Sequence, residues 1–187
     1  MSHTYCCSLF HCVFSTRERR KAIVPEIQPR LWAYMGGVAR EHQMKALAVG
    51  GTEDHVHLLL SLPSSLSIAT AMQQIKSASS HWMHEICAQE AFAWQEGYGA
   101  FSIGWSQVIA TLAYIARQEQ HHRKRDFQAE FVAFLKKHRV DYDPRYVWGR
   151  DSTVPTGRGS WGWDAVPGFR RAPPWAILVL SLRESAQ

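Results

Sequence analysis

The sequence predicts an α+β domain. Three observations carry that expectation: short aromatic and aliphatic runs of strand length, intervening segments with apolar residues three to four apart, and Gly, Pro and Ser punctuation between them. Tyr5 to Ser15, rich in aromatic, Cys, Val and Leu residues, reads as a central strand. The next residues, Arg17, Glu18, Arg19, Arg20 and Lys21, are too charged for a core and read as a basic loop. From Pro25 to Arg40, Ile27, Leu31, Tyr34 and Val38 form one helical stripe. Leu47 to Val49 gives a short strand, and Gly50-Gly51 separates it from a second apolar strand reaching Leu62 and ended by Pro63. Ser67 is a credible cap for a helix to about Glu85, with Ile68, Met72, Ile75 and Ser79 on its stripe. Phe92 to Ile103 reads as an aromatic strand bending at Gly97 or Gly99, with Trp94, Tyr98 and Phe101 assigned to packing rather than to base stacking. Ser106 is expected to cap one helix through about Arg123. A last helix, about Asp126 to His138, packs through Phe127, Phe131, Phe134 and Leu135.

Two crossover helices in that order can cover one face of a small sheet, so the expected architecture is a ferredoxin-like antiparallel sheet with helices packed on one face, plus additional C-terminal helices. After Trp148 the character changes, and glycines and prolines alternate with Trp161, Trp163 and Trp175. Residues 1–150 are therefore expected to form the domain. Residues 151–187 are expected to be a tail that docks, stays flexible, or is an accidental extension.

Composition narrows the functional classes. The 187 residues are 46% hydrophobic and 20% charged, which suits a folded core and argues against disorder throughout. Lys and Arg number 21 against 16 acids, a net +5 that favours a polyanionic partner without demanding one. Cys6, Cys7, Cys12 and Cys87 fit neither a zinc-ribbon spacing nor a disulfide framework, and a reducing cytoplasm suits them. No apolar run approaches the roughly 20 residues that span a bilayer, and the first residues do not read as a secretory leader.

The strand around His55 carries the first chemical signal. Residues two apart share a strand face, so His55 and His57 project together while Val56, Leu58, Leu60 and Leu62 face the other way. Two neighbouring imidazoles are the beginning of a cation site. The same pair also reads as buried histidines satisfied by carbonyls or water, and a third ligand is needed to decide. Asp54 would point away from the histidines in a regular strand, which leaves Gln118 as the better candidate.

The second signal is IATLAYIARQEQHHRKR, residues 109–125. On a continuous helix Tyr114, Gln118, His121 and Arg125 share one face, with Ile109, Leu112 and Ala116 nearly opposite and expected to pack. Tyrosine often merely caps a core. Placed over the histidine strand, however, a phenol beside a bound cation could attack a phosphodiester.

The segments YCCSLFHCVFSTRERR, GGTEDHVHLLLSLP, FAWQEGYGAFSIG, AYIARQEQHHRKRDFQAEF and DYDPRYVWG together resemble the single-tyrosine HUH transposases, in particular the REP-associated tyrosine transposases and their IS200-like relatives, over about residues 3–148. The resemblance implies His55, His57 and Gln118 as metal ligands, Tyr114 as nucleophile, and Mg²⁺ or Mn²⁺ as cofactor. It further implies single-stranded DNA, probed at palindromic or hairpin-forming repeats, a 5′-phosphotyrosine intermediate with a released 3′-OH, and a homodimer. Arg17, Arg19, Arg20, Lys21, His121 and Arg125 are the expected DNA contacts. A cytoplasmic, nucleoid-associated enzyme is expected, and a catalytically inactive DNA-hairpin-binding descendant is the alternative.

Overall fold

The computed structural model describes residues 5–122, 126–144 and 147, without the side chains of Glu119 and His121. The chain divides into two units, Met1–Asp141 and Tyr142–Gln187. Residues 151–187 and Arg125 lie outside the described residues.

Four strands form the sheet of the first unit: β1 (Ser8–Ser15), β2 (Lys45–Gly51), β3 (His55–Leu62) and β4 (Gly99–Ser102). Their order is β2-β3-β1-β4, with every pairing antiparallel. This is the ferredoxin-like arrangement expected from the order of elements. The two central strands are buried along most of their length, whereas β2 is half-exposed and β4 spans four residues. Short or half-wet edges expose few unpaired backbone groups.

One sheet face carries Cys12, Phe14, Val56, Leu58, Leu60 and Leu62 against α1 (Gln28–Glu41) and α2 (Ile68–Glu85). Leu31, Met35, Val38 and Ala39 of α1 meet Ala71, Met72, Ile75 and Met83 of α2 in that core. Each large side chain buried there contributes about 1.5–3 kcal/mol. Ser67 caps α2 as expected, its hydroxyl accepting the Thr70 N–H. Buried Trp94 donates its indole N–H to Ser79, which explains a serine on an otherwise apolar stripe. Phe101 is buried as expected, whereas Tyr98 is exposed and does not pack in the core.

The opposite face holds α3 (Val108–Ala116), α4 (Gln118–His122) and α5 (Phe127–Lys137). Here two expectations need correction. Ser106 does not begin a continuous helix: a 3₁₀ turn, Trp105–Gln107, precedes α3, and Arg117 interrupts the chain between α3 and α4. The side of α3 that packs is also not the one expected. Ile109 and Ala116 are exposed, and Val108 and Ile115 are buried against Leu9 and Leu59, with Leu112 and Tyr114 partly buried beside them. Leu9 and Leu59 form an aliphatic patch on this sheet face beside the histidines, and the side of α3 bearing Val108, Leu112 and Ile115 is the one that covers it.

Two glycines allow this close packing. A Cβ on Gly50 would lie 2.9 Å from Ile115 Cγ2 and 3.0 Å from the Ile115 carbonyl oxygen. On Gly51 it would lie 2.2 Å from the His55 carbonyl oxygen. Gly50 thus lets α3 lie on β2, and Gly51 lets the chain fold back tightly into His55.

Candidate metal centre

Strand alternation places His55 and His57 on the α3–α5 side, both fully buried, with Val56 and Leu58 in the core opposite. In register with them on β1 are Ser15 and Val13, and one step further His11 shares their face. Three histidines therefore cluster on one surface, although His57 alone makes a direct bond to His11.

Each of the two strand histidines is held from behind by a different group. His55 donates from Nδ1 to Asp54 Oδ1 at 2.7 Å, and Thr52 Oγ1 donates to the same oxygen at 3.0 Å. The expectation that Asp54 faces away fails because it stands in the turn before β3, outside the alternation of the strand. Burial alone would raise its pKa, but the hydrogen bond and charge of His55, with Thr52 and Arg19, hold it down to about 2. His57 Nδ1 lies 3.0 Å from His11 Nε2, and the two rings stack at 5.2 Å. Burial, followed by the charges of His138 and Lys137, lowers His11 to about 4, so it stays neutral beside His57.

In front of the histidines are residues from α4 and α5. Gln118 is buried, with Oε1 3.5 Å from His55 Nε2, and its amide donates to Glu130 Oε1 at 3.4 Å. Glu130 Oε2 lies 3.0 Å from His122 Nε2 and 3.8 Å from His57 Nε2. One ligand atom each from His55, His57, His122 and Glu130 falls within 4.8 Å of the others, a set able to hold a cation. Burial, then the charge of Asp54, pushes the Glu130 carboxyl up to about 8. A buried carboxylate among imidazoles is what a divalent cation stabilises, so the donor set fits a metal.

His122 and Glu130 were not among the expected ligands. The interruption at Arg117 changes the phase, so that Gln118 and His122, four residues apart, belong to a separate helix. Arg and Gln are good helix formers and give no warning of a break. A signal for Glu130 was present: an acid three residues after Phe127 and four before Phe134 sits on an aromatic packing stripe.

Tyr114 reaches the site within the same chain. Its ring stands edge-on to His57 at 5.7 Å, to His11 at 6.0 Å and to Phe134 at 5.8 Å. Phe127 stacks on His55 at 4.5 Å, and the same ring lies 5.8 Å beneath the Arg19 guanidinium. These phenylalanines exclude water beside the histidines, and low polarity there strengthens every charge interaction.

The basic turn is built differently from a solvated loop. Glu18 and Arg19 both have positive φ, 57° and 55°, a conformation that costs a non-glycine residue about 1 kcal/mol or more. Thr16 secures it, its hydroxyl donating to the carbonyls of Arg20 and Asp54. Arg19 pairs with Asp54 at 3.5 Å and Asp126 at 3.1 Å, which ties the turn to the metal-site loop and to the start of α5. Arg20 pairs with Glu18 and Lys21 with the half-buried Glu53, and Arg17, Glu18, Arg20 and Lys21 are all exposed. The side chain of His121 and all of Arg125, the remaining expected DNA contacts, lie outside the described residues. No helix among the described residues is long and apolar enough to cross a membrane.

Comparison with known proteins agrees with this geometry. A family described as "Transposase IS200 like" matches residues 5–118, more than half of the chain, including His55, His57, Tyr114 and Gln118. The chain is 24% identical over 110 residues to the transposase for insertion sequence element IS200 of Salmonella typhimurium, covering 56% of this chain and 72% of that protein. The Salmonella typhi counterpart matches to the same extent. A Deinococcus radiodurans R1 protein described as a candidate transposase has the same fold, with a TM-score of 0.50 and 20% identity over 63% of this chain and 96% of its own. So does a REP-associated tyrosine transposase bound to a REP hairpin, with a TM-score of 0.50 and 17% identity over 65% of this chain and 73% of that one. At such identities the structural likeness is one of fold, and the family match decides membership: the chain belongs to the IS200-like transposase family.

Proposed function

We propose that this protein is a metal-dependent transposase and endonuclease of single-stranded DNA that cleaves and rejoins strands through a 5′-phosphotyrosine at Tyr114. The observation that carries the reading is the Tyr114 ring, edge-on to His57 at 5.7 Å, beside a buried four-donor cluster. In cleavage the phenol oxygen attacks the phosphorus, the bond to the 3′ oxygen breaks, and the leaving strand takes a proton to end as a 3′-OH. Attack by another 3′-OH reverses the exchange and returns the phenol, so no nucleotide cofactor is consumed.

His55, His57, His122 and Glu130 would hold a divalent cation, with Gln118 alongside. The cation supplies positive charge to the phosphate and to the leaving oxygen. Asp54 and His11 orient the two strand histidines, and Phe127 and Phe134 keep the site dry. The DNA strand is taken by Arg17, Arg20 and Lys21, with His121 and Arg125 as further contacts. A cavity of about 260 Å³ lined by Thr16, Arg17, Glu18, Arg20 and Phe92 supports this path. Hairpin-forming repeats are the proposed substrate, as in the REP hairpin held by the structural relative. Exposed Trp105 and Ile109 support pairing of two copies.

Labelled single-stranded DNA flanking a hairpin, mixed with the protein and Mn²⁺ or Mg²⁺, is expected to form an adduct that survives denaturation. Tyr114→Phe should remove the adduct and keep DNA binding. An undiminished adduct in that variant would exclude this nucleophile, and binding without any adduct in the wild type would favour an inactive hairpin-binding protein.

A further inference from the structure

We propose that His122 and Glu130 complete, with His55 and His57, a three-nitrogen, one-oxygen centre that selects a first-row transition ion over Mg²⁺. The inference deepens the proposed function and rests on it only for the use to which the ion is put. His55 and His57 come from one strand, and a two-histidine site finished by an amide and water would leave the choice of cation open. The α4–α5 segment changes the donor count. His122 Nε2 and Glu130 Oε2 are 3.0 Å apart, and the ligand atoms of all four residues lie within 4.8 Å of one another.

Imidazole nitrogen suits Zn²⁺, Co²⁺ and Ni²⁺, whereas Mg²⁺ favours oxygen donors and keeps much of its water. Three imidazoles and one carboxylate, with His55, His57 and Glu130 buried, give Mg²⁺ one anionic oxygen and require it to shed water for nitrogen. A transition ion has no such conflict. The backing bonds add to the preference. The Asp54 carboxylate behind His55 makes that imidazole a stronger donor, and His11 fixes the orientation of His57. Affinity should rise from Mg²⁺ through Mn²⁺ to Co²⁺ and Zn²⁺.

The test uses the full chain, stripped of metal, without DNA. Titration with Co²⁺ is followed by visible absorption and calorimetry, and Mg²⁺, Mn²⁺ and Zn²⁺ are then added as competitors. One equivalent of Co²⁺ should bind with the intense visible bands of a low-coordinate nitrogen-rich site. Zn²⁺ should displace it at comparable concentration, while millimolar-range Mg²⁺ should not. His122→Ala and Glu130→Gln should each weaken Co²⁺ binding at least about tenfold, and His81→Ala, on the exposed side of α2, should not change it.

Displacement of Co²⁺ by millimolar-range Mg²⁺, or unchanged Co²⁺ binding by both variants with wild-type circular dichroism, would overturn the proposal. Should either variant fail to fold, the wild-type spectrum still decides, since weak bands of a fully hydrated-like site would contradict a three-imidazole set. Because no DNA is present, loss of adduct formation and loss of this selectivity are separate results.

Discussion

His11 Nε2 lies 3.0 Å from Nδ1 of His57, so a histidine outside the candidate metal cluster holds one inside it from behind. The partner of His55 is a carboxylate, whereas that of His57 is a neutral imidazole kept unprotonated by burial. His11→Phe keeps an aromatic ring next to Phe134 and removes the bond. Metal affinity measured by calorimetry should fall about 10- to 100-fold while the far-UV spectrum is unchanged. Equal affinity would show that the stack alone orients His57.

Asp54→Asn should act on the other histidine and on the basic turn together. It removes the charge that pairs with Arg19 and strengthens His55, so metal binding should weaken and the turn at Glu18–Arg19 should become more open to proteolysis. Cleavage rates within that turn, compared between the two proteins, check the second effect. An unaltered pattern would mean that Asp126 and Thr16 suffice to hold it.

Glu130 gives the metal-free protein a pH dependence of definite sign. An acid whose folded pKa is about 8 against 4.5 unfolded adds stability below about 4.5 and gives it up as pH climbs toward 8. Thermal melts of the stripped protein should show that loss between those values, and Glu130→Gln should flatten it. His11 acts in the opposite sense: lowered from 6.5 to about 4, it subtracts stability as pH falls through that interval. Adding metal should reverse the high-pH loss, because the cation stabilises the ionised carboxylate.

Gly50→Val tests whether the closeness of α3 to the sheet matters for the tyrosine. The new side chain meets Ile115, adjacent to Tyr114, and overpacking of this kind costs about 1–3 kcal/mol. Adduct formation should fall further than Co²⁺ affinity, since the histidines keep their backing residues. A parallel fall in both would indicate general disruption instead of displacement of the tyrosine helix.

Much of the fold was legible because β1, β3 and α2 announce themselves by run length, alternation and the Ser67 cap, and the β2–β3 pairing follows from the short turn that joins them. His55 and His57 were legible for the same reason, since strand alternation places them together without tertiary information. Three features were not. Asp54 stands one residue before the strand, where alternation has no authority. The break at Arg117 is made by residues with good helix propensity, so local preference does not announce it. The inward side of α3 is fixed by the Leu9 and Leu59 patch that Val108 and Ile115 cover, and α3 is apolar enough on several sides that its sequence does not single this one out. Glu130 was readable in principle, as an acid set between Phe127 and Phe134.

The central claim is that the phenol oxygen of Tyr114 takes the phosphate. Mass spectrometry of protein trapped on single-stranded hairpin-flanking DNA, digested with protease and nuclease, addresses it directly. The account predicts a nucleotide mass on the peptide containing Tyr114 and a free 3′-OH on the released strand. The same mass on a peptide containing Tyr5, Tyr34, Tyr98, Tyr142 or Tyr146, or cleavage that leaves no nucleotide on the protein, would contradict it.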